Sequence, residues 1–279
     1  MKYLITGATG FIGPHLVKKL ISEGHACRCL VREGSKIDVL QQLGAELVVG
    51  DITRAATLQG IAAGMDRVLH LATLGHMSNF AVTESMFEAI NVQGAINIMQ
   101  ESLKAGVQRV VHCSTVAAMG ICADVPATEN SPCNPHHPYG RSKLKAEQKI
   151  LSLIEKKNLP AVIVRFSMVY GPGDPRDVLK LTRLTKKGLF PKIGNRPKLT
   201  PLIHVDDAVT GLLLAAEKGR TGEIYLITNP NSIPFDHLRK IFQKSLGIKR
   251  LPLYVPEWTA LSLASLLEKS MTLILFSRR

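Results

Sequence analysis

Apolar positions along this chain follow two alternating rhythms. Short, mostly apolar runs at 3–5, 26–31, 46–50, 67–73, 108–113 and 161–165 have the length of strands buried on both faces, and a further run follows at 222–227. Helical spacing separates them: Leu16, Val17, Leu20 and Ile21 after the first run, Glu84 to Ala105 after the fourth, and a stretch opened by Pro138 that continues through Ile150, Leu153 and Ile154 after the fifth. Strand and helix in alternation predict an α/β fold built on a doubly wound parallel sheet.

The first strand runs directly into Thr6-Gly7-Ala8-Thr9-Gly10-Phe11-Ile12-Gly13, with glycines three apart, and then into the first helix. A strand, tight turn and helix in this order make an anion site. Glycine lets the backbone approach a pyrophosphate, and the amides and dipole of the helix start point at its charge. Gly7, Gly10, Phe11, Ile12 and Gly13 are therefore candidate cofactor contacts. NAD enzymes place a carboxylate at the end of the second strand to bond the ribose hydroxyls, whereas a guanidinium there accommodates a 2′-phosphate. Here Val31 holds the acid position and Arg32 follows, with Lys36 as support, so NADP is expected ahead of NAD. Glu33 keeps NAD open.

Tyr139 and Lys143 are four apart at the start of a helix, so they share one face of it. A phenol with pKa near 10 is a poor base at neutral pH, and an adjacent ammonium lowers that value toward the working range. Ser114-Thr115 ends the preceding strand.

These segments together resemble the extended short-chain dehydrogenase/reductases, in particular the NAD(P)-dependent epimerase/dehydratases. The resemblance rests on TGATGFIG, Asn91-Val92-Gln93-Gly94, Ser114 to Gly120, Tyr139-Gly140-Arg141-Ser142-Lys143, Val169-Tyr170-Gly171-Pro172-Gly173-Asp174 and His204-Val205-Asp206-Asp207, and it covers residues 1 to about 230. It implies a Rossmann domain at 1–165 plus about 202–228, and a small substrate lobe at about 166–201 and 229–279. Asp51 and Ile52 would flank the adenine, the acid also suiting a cap before a helix at 53–58. Leu71, Ala72 and Thr73 would lie beneath the ribose and nicotinamide, and Asn91 would support the active-site strand. Thr115 would orient the substrate oxygen, Tyr139 would act as general base or acid, and Lys143 would tune Tyr139 and bond the ribose. His70 reads as a core histidine, and His204 with its neighbouring acids as structural. Met119 stands where the family has Tyr, and Phe166 where it has Pro.

The net charge of +13 invites a nucleic-acid partner, but the basic residues are scattered and aromatics make up only 5%. A basic surface suited to phosphorylated ligands is the better account, and no nucleic acid is expected. Five cysteines without a C-x-x-C pair give neither a metal site nor a disulfide framework. The first strand leaves no room for a signal peptide, so a cytoplasmic protein is expected.

The segment before the His204 element, Leu199-Thr200-Pro201-Leu202, lacks the Arg-Asp-Phe type run of nucleotide-sugar enzymes. It is closer to the dihydroflavonol reductase and 3β-hydroxysteroid dehydrogenase relatives, which implies hydride transfer at a secondary alcohol or ketone of an apolar small molecule. A nucleotide-sugar epimerase or dehydratase is the alternative, with Arg183, Lys187, Arg196 or Lys198 on a diphosphate. A non-catalytic NADP-sensing regulator is the rival of another class, and the retained Tyr-Lys pair argues against it. The apolar segment 257–279, interrupted by Glu268 and Lys269, is too short to span a bilayer. It is expected to close the substrate pocket, with peripheral membrane contact as the alternative; a homodimer is left open.

Overall fold

The computed structural model describes residues 1–75, 82–122, 126–174, 177–194, 199–249, 253–260 and 262. These divide into two compact units, residues 1–173 with 203–229 and residues 174–202 with 230–279.

Unit 1 is organised on a parallel seven-stranded sheet. Its strands are β1 (Lys2–Thr6), β2 (Ala26–Val31), β3 (Glu46–Val49), β4 (Arg67–His70), β5 (Arg109–Thr115), β6 (Ala161–Phe166) and an edge strand that lies late in the chain, Ile224–Ile227. The spatial order is edge strand, β6, β5, β4, β1, β2, β3, so the winding reverses between β1 and β4. Ligands of doubly wound sheets bind at the carboxyl ends of the strands beside that reversal. The sheet buries both faces. On one, Ile5, Leu69, Val111 and Val162 pack with Leu16 and Leu20 of α1 (Ile12–Ser22). On the other, Leu4, Val68, Val110 and Ile163 pack with Ile98 and Met99, and with Ile150.

Those last residues belong to the long helical connections. Residues 84–105, expected as one helix, form α-helix Glu84–Phe87, a π-helical turn Glu88–Gln93 and α-helix Gly94–Ala105 in immediate succession. The first and last are α3 and α4, since α2 (Asp38–Gln42) precedes them, and α5 is Pro138–Lys157. The expected helix at 53–58 is a single 3₁₀ turn, Ala55–Leu58. It falls short because Asp51 Oδ1 accepts from Thr53 N at 2.9 Å and from Thr53 Oγ1 at 2.8 Å, closing a tight turn instead of capping a helix. After β6, strand β7 (Met168–Tyr170) pairs with β10 (Leu202–His204), which leads into α7 (Val205–Lys218); the sheet's edge strand is β11.

Unit 2 holds α6 (Asp177–Lys186) and α8 (Phe235–Ser245), with the two-residue pairs β8 (Lys192–Ile193) to β13 (Tyr254–Val255) and β9 (Leu199–Thr200) to β12 (Ile233–Pro234). Phe190 packs edge-on against Phe235, ring centroids 5.1 Å apart. Helix α6 carries Lys180, Arg183 and Lys186 of the basic stretch between β7 and β10. Of the 257–279 segment, residues 257–260 and 262 are helical, and the remainder lies outside the described residues.

Candidate functional site

The glycine turn leaves β1 at the winding reversal. Gly7 has φ +74°, and a Cβ on it would lie 2.6 Å from Ala72 N, so only glycine permits the turn to press on the exit of β4. A Cβ on Gly13 would lie 2.2 Å from Ala8 O, which fixes α1 against the turn. Gly10 differs: it is exposed, its N–H donates to Gly7 O at 3.0 Å, and a Cβ would meet only that oxygen, at 3.1 Å. Helix α1 starts at Ile12 with no side-chain cap and no acidic residue in its first turn. Two glycines thus build the turn, and the third keeps its outer surface bare.

At the carboxyl end of β5, Thr115 is extended and its Oγ1 accepts from Ala117 N at 3.2 Å. Helix α5 begins after Pro138, with His137 Nδ1 accepting from Tyr139 N at 3.3 Å. It sits tightly on the segment after Thr115, where a Cβ on Gly140 would lie 2.4 Å from Ala117 O. Tyr139 is half-buried, its ring 6.2 Å from that of Phe87. Lys143 is sealed, 1% exposed, and Nζ donates to Cys113 O at 2.7 Å and lies 3.3 Å from His112 Nε2. Burial pulls the Lys143 amine down to about 8, which keeps it titratable near neutrality.

Asn91 sits in the π turn, 1% exposed. Its Oδ1 accepts from Thr73 Oγ1 at 2.9 Å and Leu74 N at 2.7 Å, and its Nδ2 donates to Leu74 O at 3.1 Å and Ser142 Oγ at 2.9 Å. Ser142 Oγ in turn donates to Tyr139 O at 2.8 Å. Oxygen and amide protons are both committed within the protein, so Asn91 braces the exit of β4 against α5. Leu71 N donates to Thr6 O and Ala72 N to Thr6 Oγ1, which keeps Leu71, Ala72 and Thr73 beside the glycine turn. Ile52 is buried against Gly94, its carbonyl accepting from Asn97 Nδ2 at 2.7 Å. Asp51 is held below the usual carboxylate range, first by the Thr53 backbone bond and then by Thr53 Oγ1 and Arg32. Arg32 and Lys36 are exposed after β2.

The family model of the NAD-dependent epimerase/dehydratases matches residues 3–228. The chain belongs to that family. Among its relatives, a 4-hydroxy-2-methyl-3-oxo-4-farnesyl-3,4-dihydroquinoline-1-oxide ketoreductase of Stigmatella aurantiaca is 29% identical over 89% of this chain and 74% of its own length. A dTDP-glucose 4,6-dehydratase of Actinoplanes is 32% identical over 81% of this chain and 76% of its own. The crystal structure of a dTDP-glucose 4,6-dehydratase from Streptomyces venezuelae with NAD bound superposes with a TM-score of 0.81 at 30% identity, covering 92% of this chain and 85% of that one. The bare outer face of Gly10 and the uncapped start of α1 fit the pyrophosphate of this family's dinucleotide. Homologues of this kind are NAD(P)-dependent enzymes, and so is this chain.

Sequence reasoning missed three features of this epimerase/dehydratase site. Gly140 seats the Tyr139 helix and was legible only as part of a motif. Glu147 and Arg165 form a bidentate pair, 1% and 3% exposed, and Ser114 Oγ donates to Glu147 Oε1. His70 and His112 stack, centroids 5.3 Å apart at 24°. Of the residues proposed for a diphosphate, Arg183 and Lys187 are exposed, and Arg196 and Lys198 lie outside the described residues. Among the described residues no helix is long and apolar enough to cross a membrane.

Proposed function

We propose that this protein binds NADP in preference to NAD and catalyses hydride transfer at a secondary alcohol or ketone of an apolar substrate. The nicotinamide, when bound, supplies or accepts the hydride. Tyr139 exchanges the proton at the substrate oxygen, and Thr115 bonds that same oxygen and orients it. Lys143, as an ammonium, stabilises the phenolate and shifts Tyr139 toward neutral pH. Gly7, Gly10, Phe11, Ile12 and Gly13 hold the pyrophosphate, Asp51 and Ile52 flank the adenine, and Leu71, Ala72 and Thr73 lie under the nicotinamide ribose. Arg32, with Lys36, pairs with a 2′-phosphate, and no acid on the last residue of β2 opposes it.

The observation that supports this reading most is the close seat of Gly140 on Ala117, which brings the first turn of α5 to the end of the strand carrying Thr115. For the substrate, the support is the exposure of the apolar side chains of Leu189, Leu199, Leu253, Tyr254 and Trp258 in unit 2, together with the farnesylated substrate in the name of the similar ketoreductase.

A second reading, a nucleotide-sugar epimerase or dehydratase, is favoured by charge. Unit 2 contains sixteen of the 35 Lys and Arg residues but only five of the 22 Asp and Glu, so almost all of the excess positive charge lies there. A diphosphate would be drawn to it.

The test is a titration with NADPH and NADH followed by assay at 340 nm against ketosteroids, flavonoid-type ketones and UDP- and dTDP-sugars, with sugar products examined by NMR because epimerisation leaves absorbance unchanged. Turnover of apolar ketones that Tyr139→Phe abolishes supports the first reading; conversion of sugars alone replaces it with the second. Turnover undiminished in Tyr139→Phe overturns both.

A further inference from the structure

The α5-facing side of the sheet is apolar along most of its depth, yet at its carboxyl end three adjacent strands each contribute a polar residue in register. Thr6 of β1 pairs with His70 of β4, and His70 with His112 of β5. All three are buried, at 0%, 1% and 0% exposure. Thr6 Oγ1 and His70 Nδ1 share a hydrogen bond of 2.7 Å, the two imidazoles stack, and His112 Nε2 meets Lys143 Nζ at 3.3 Å. The row therefore runs from the residue before Gly7 to the amine of Lys143. It is also costly: His70 Nε2 and His112 Nδ1 are buried with no hydrogen-bond partner. A leucine or phenylalanine at position 112 would fill the space without that cost.

We propose that His112 is a positioning residue for Lys143: neutral His112 accepts a hydrogen bond at Nε2 from the Lys143 ammonium and, with the Cys113 carbonyl, fixes two of its three N–H bonds. An ammonium has three donors and no acceptor, so two anchors on consecutive residues of one strand leave a single N–H with a set direction. A buried cation also needs such acceptors to stay charged at all. Burial and the nearby Lys143 charge hold His112 well below its ordinary value, so it stays an acceptor and does not compete for the proton. The groups around the amine are His112 and Cys113 from β5, His70 from β4 and Glu147 from α5; of these Cys113 is a neutral thiol, pushed up to about 12 by burial. The assignment of what the free N–H serves rests on the function proposed above, but the anchoring itself does not.

The experiment uses the full chain without added ligand. Long-range ¹H–¹⁵N spectra of the histidine rings at pH 7 are expected to show His112 protonated at Nδ1 and bare at Nε2. With ¹³C-labelled lysine, Lys143 in His112→Phe is expected to titrate about one pH unit lower than in the parent, the loss of one charged hydrogen bond. His112→Gln, whose side-chain oxygen reaches about as far as Nε2, is expected to recover most of that shift, a rescue that mere packing would not give. A proton found on Nε2, or an unchanged Lys143 midpoint in His112→Phe, overturns the proposal. Should His112→Phe fail to fold, the tautomer and the His112→Gln midpoint decide it, a fall as large as one full unit in His112→Gln counting against it. If Tyr139→Phe leaves turnover intact while the Lys143 midpoint still shifts, the proposed function fails and the anchoring stands.

Discussion

The Arg165 guanidinium grips the Glu147 carboxylate through Nη2 at 2.7 Å and Nε at 3.2 Å, with both side chains sealed from solvent. The pair ties β6 to the middle of α5, and Ser114 joins it from β5, so the helix carrying Tyr139 and Lys143 is bolted to two strands by charge. Removing one partner leaves the other buried and unpaired. Glu147→Leu is therefore expected to lower unfolding free energy by about 3–5 kcal/mol in urea, whereas Glu147→Leu with Arg165→Met recovers most of it. Equal stability of the single and double variants would contradict this account.

Two glycines of the same turn make opposite demands. Gly13→Ala sets a Cβ 2.2 Å from a backbone oxygen that cannot yield, and a stability loss of about 1–3 kcal/mol or more is expected, read as a fall in melting temperature. Gly10→Ala meets one oxygen at 3.1 Å and is expected to fold with a nearly unchanged melting temperature. Its methyl group would occupy the bare face, and NADPH binding followed by fluorescence is expected to weaken about tenfold or more, roughly 1.4 kcal/mol. Full-strength binding in Gly10→Ala would remove the pyrophosphate from this turn.

Much of unit 1 was legible because the relevant signals are local. Ile5 and its neighbours form an apolar run, Gly7 demands a turn, and Tyr139 and Lys143 share a helix face by spacing alone. What was not legible depends on register between distant segments. Glu147, flanked by Ala146, Gln148 and Lys149, looks like a solvent-facing helix residue until Arg165 is known to lie across from it. His112 reads as one more strand residue until β4 is aligned beside it. The π turn at Asn91 shifts the helical phase by a single residue, too little to disturb the apolar spacing of 84–105. In unit 2 the strands are two residues long and carry no periodicity to read.

Asn91 offers a test of that brace. Asn91→Leu fits the volume but strands the Leu74 N–H and carbonyl, and each buried group left without a partner costs about 1–3 kcal/mol. Because Ser142 and Tyr139 hang from the same amide, loss of stability is expected together with reduced turnover on whichever ketone the substrate screen identifies. Asn91→Leu with wild-type stability in urea would show that the brace carries no weight.

The buried histidines predict how stability follows pH. His70 is pushed down to about 3, chiefly by burial and then by the Lys143 charge, from an unfolded value near 6.5, and His112 is shifted in the same direction. Above pH 6.5 both rings are neutral in either state and contribute nothing. Below it, the unfolded chain takes up protons that the folded one refuses, so stability falls as pH falls through the window from 6.5 toward 3. His70 contributes a slope approaching about 1.4 kcal/mol per pH unit, or roughly 2 kcal/mol between pH 7 and pH 5, and His112 adds to it in the same direction. Depressed carboxylates such as Asp51 act in the same sense only at lower pH, near the ordinary carboxylate range, so the interval from pH 7 to 5 isolates the histidines. Urea titrations of the parent across that interval are expected to lose more than about 2 kcal/mol, and His70→Leu, whatever its absolute stability, clearly less. A flat profile in the parent, or an undiminished slope in His70→Leu, would mean that these rings take up protons while the protein stays folded.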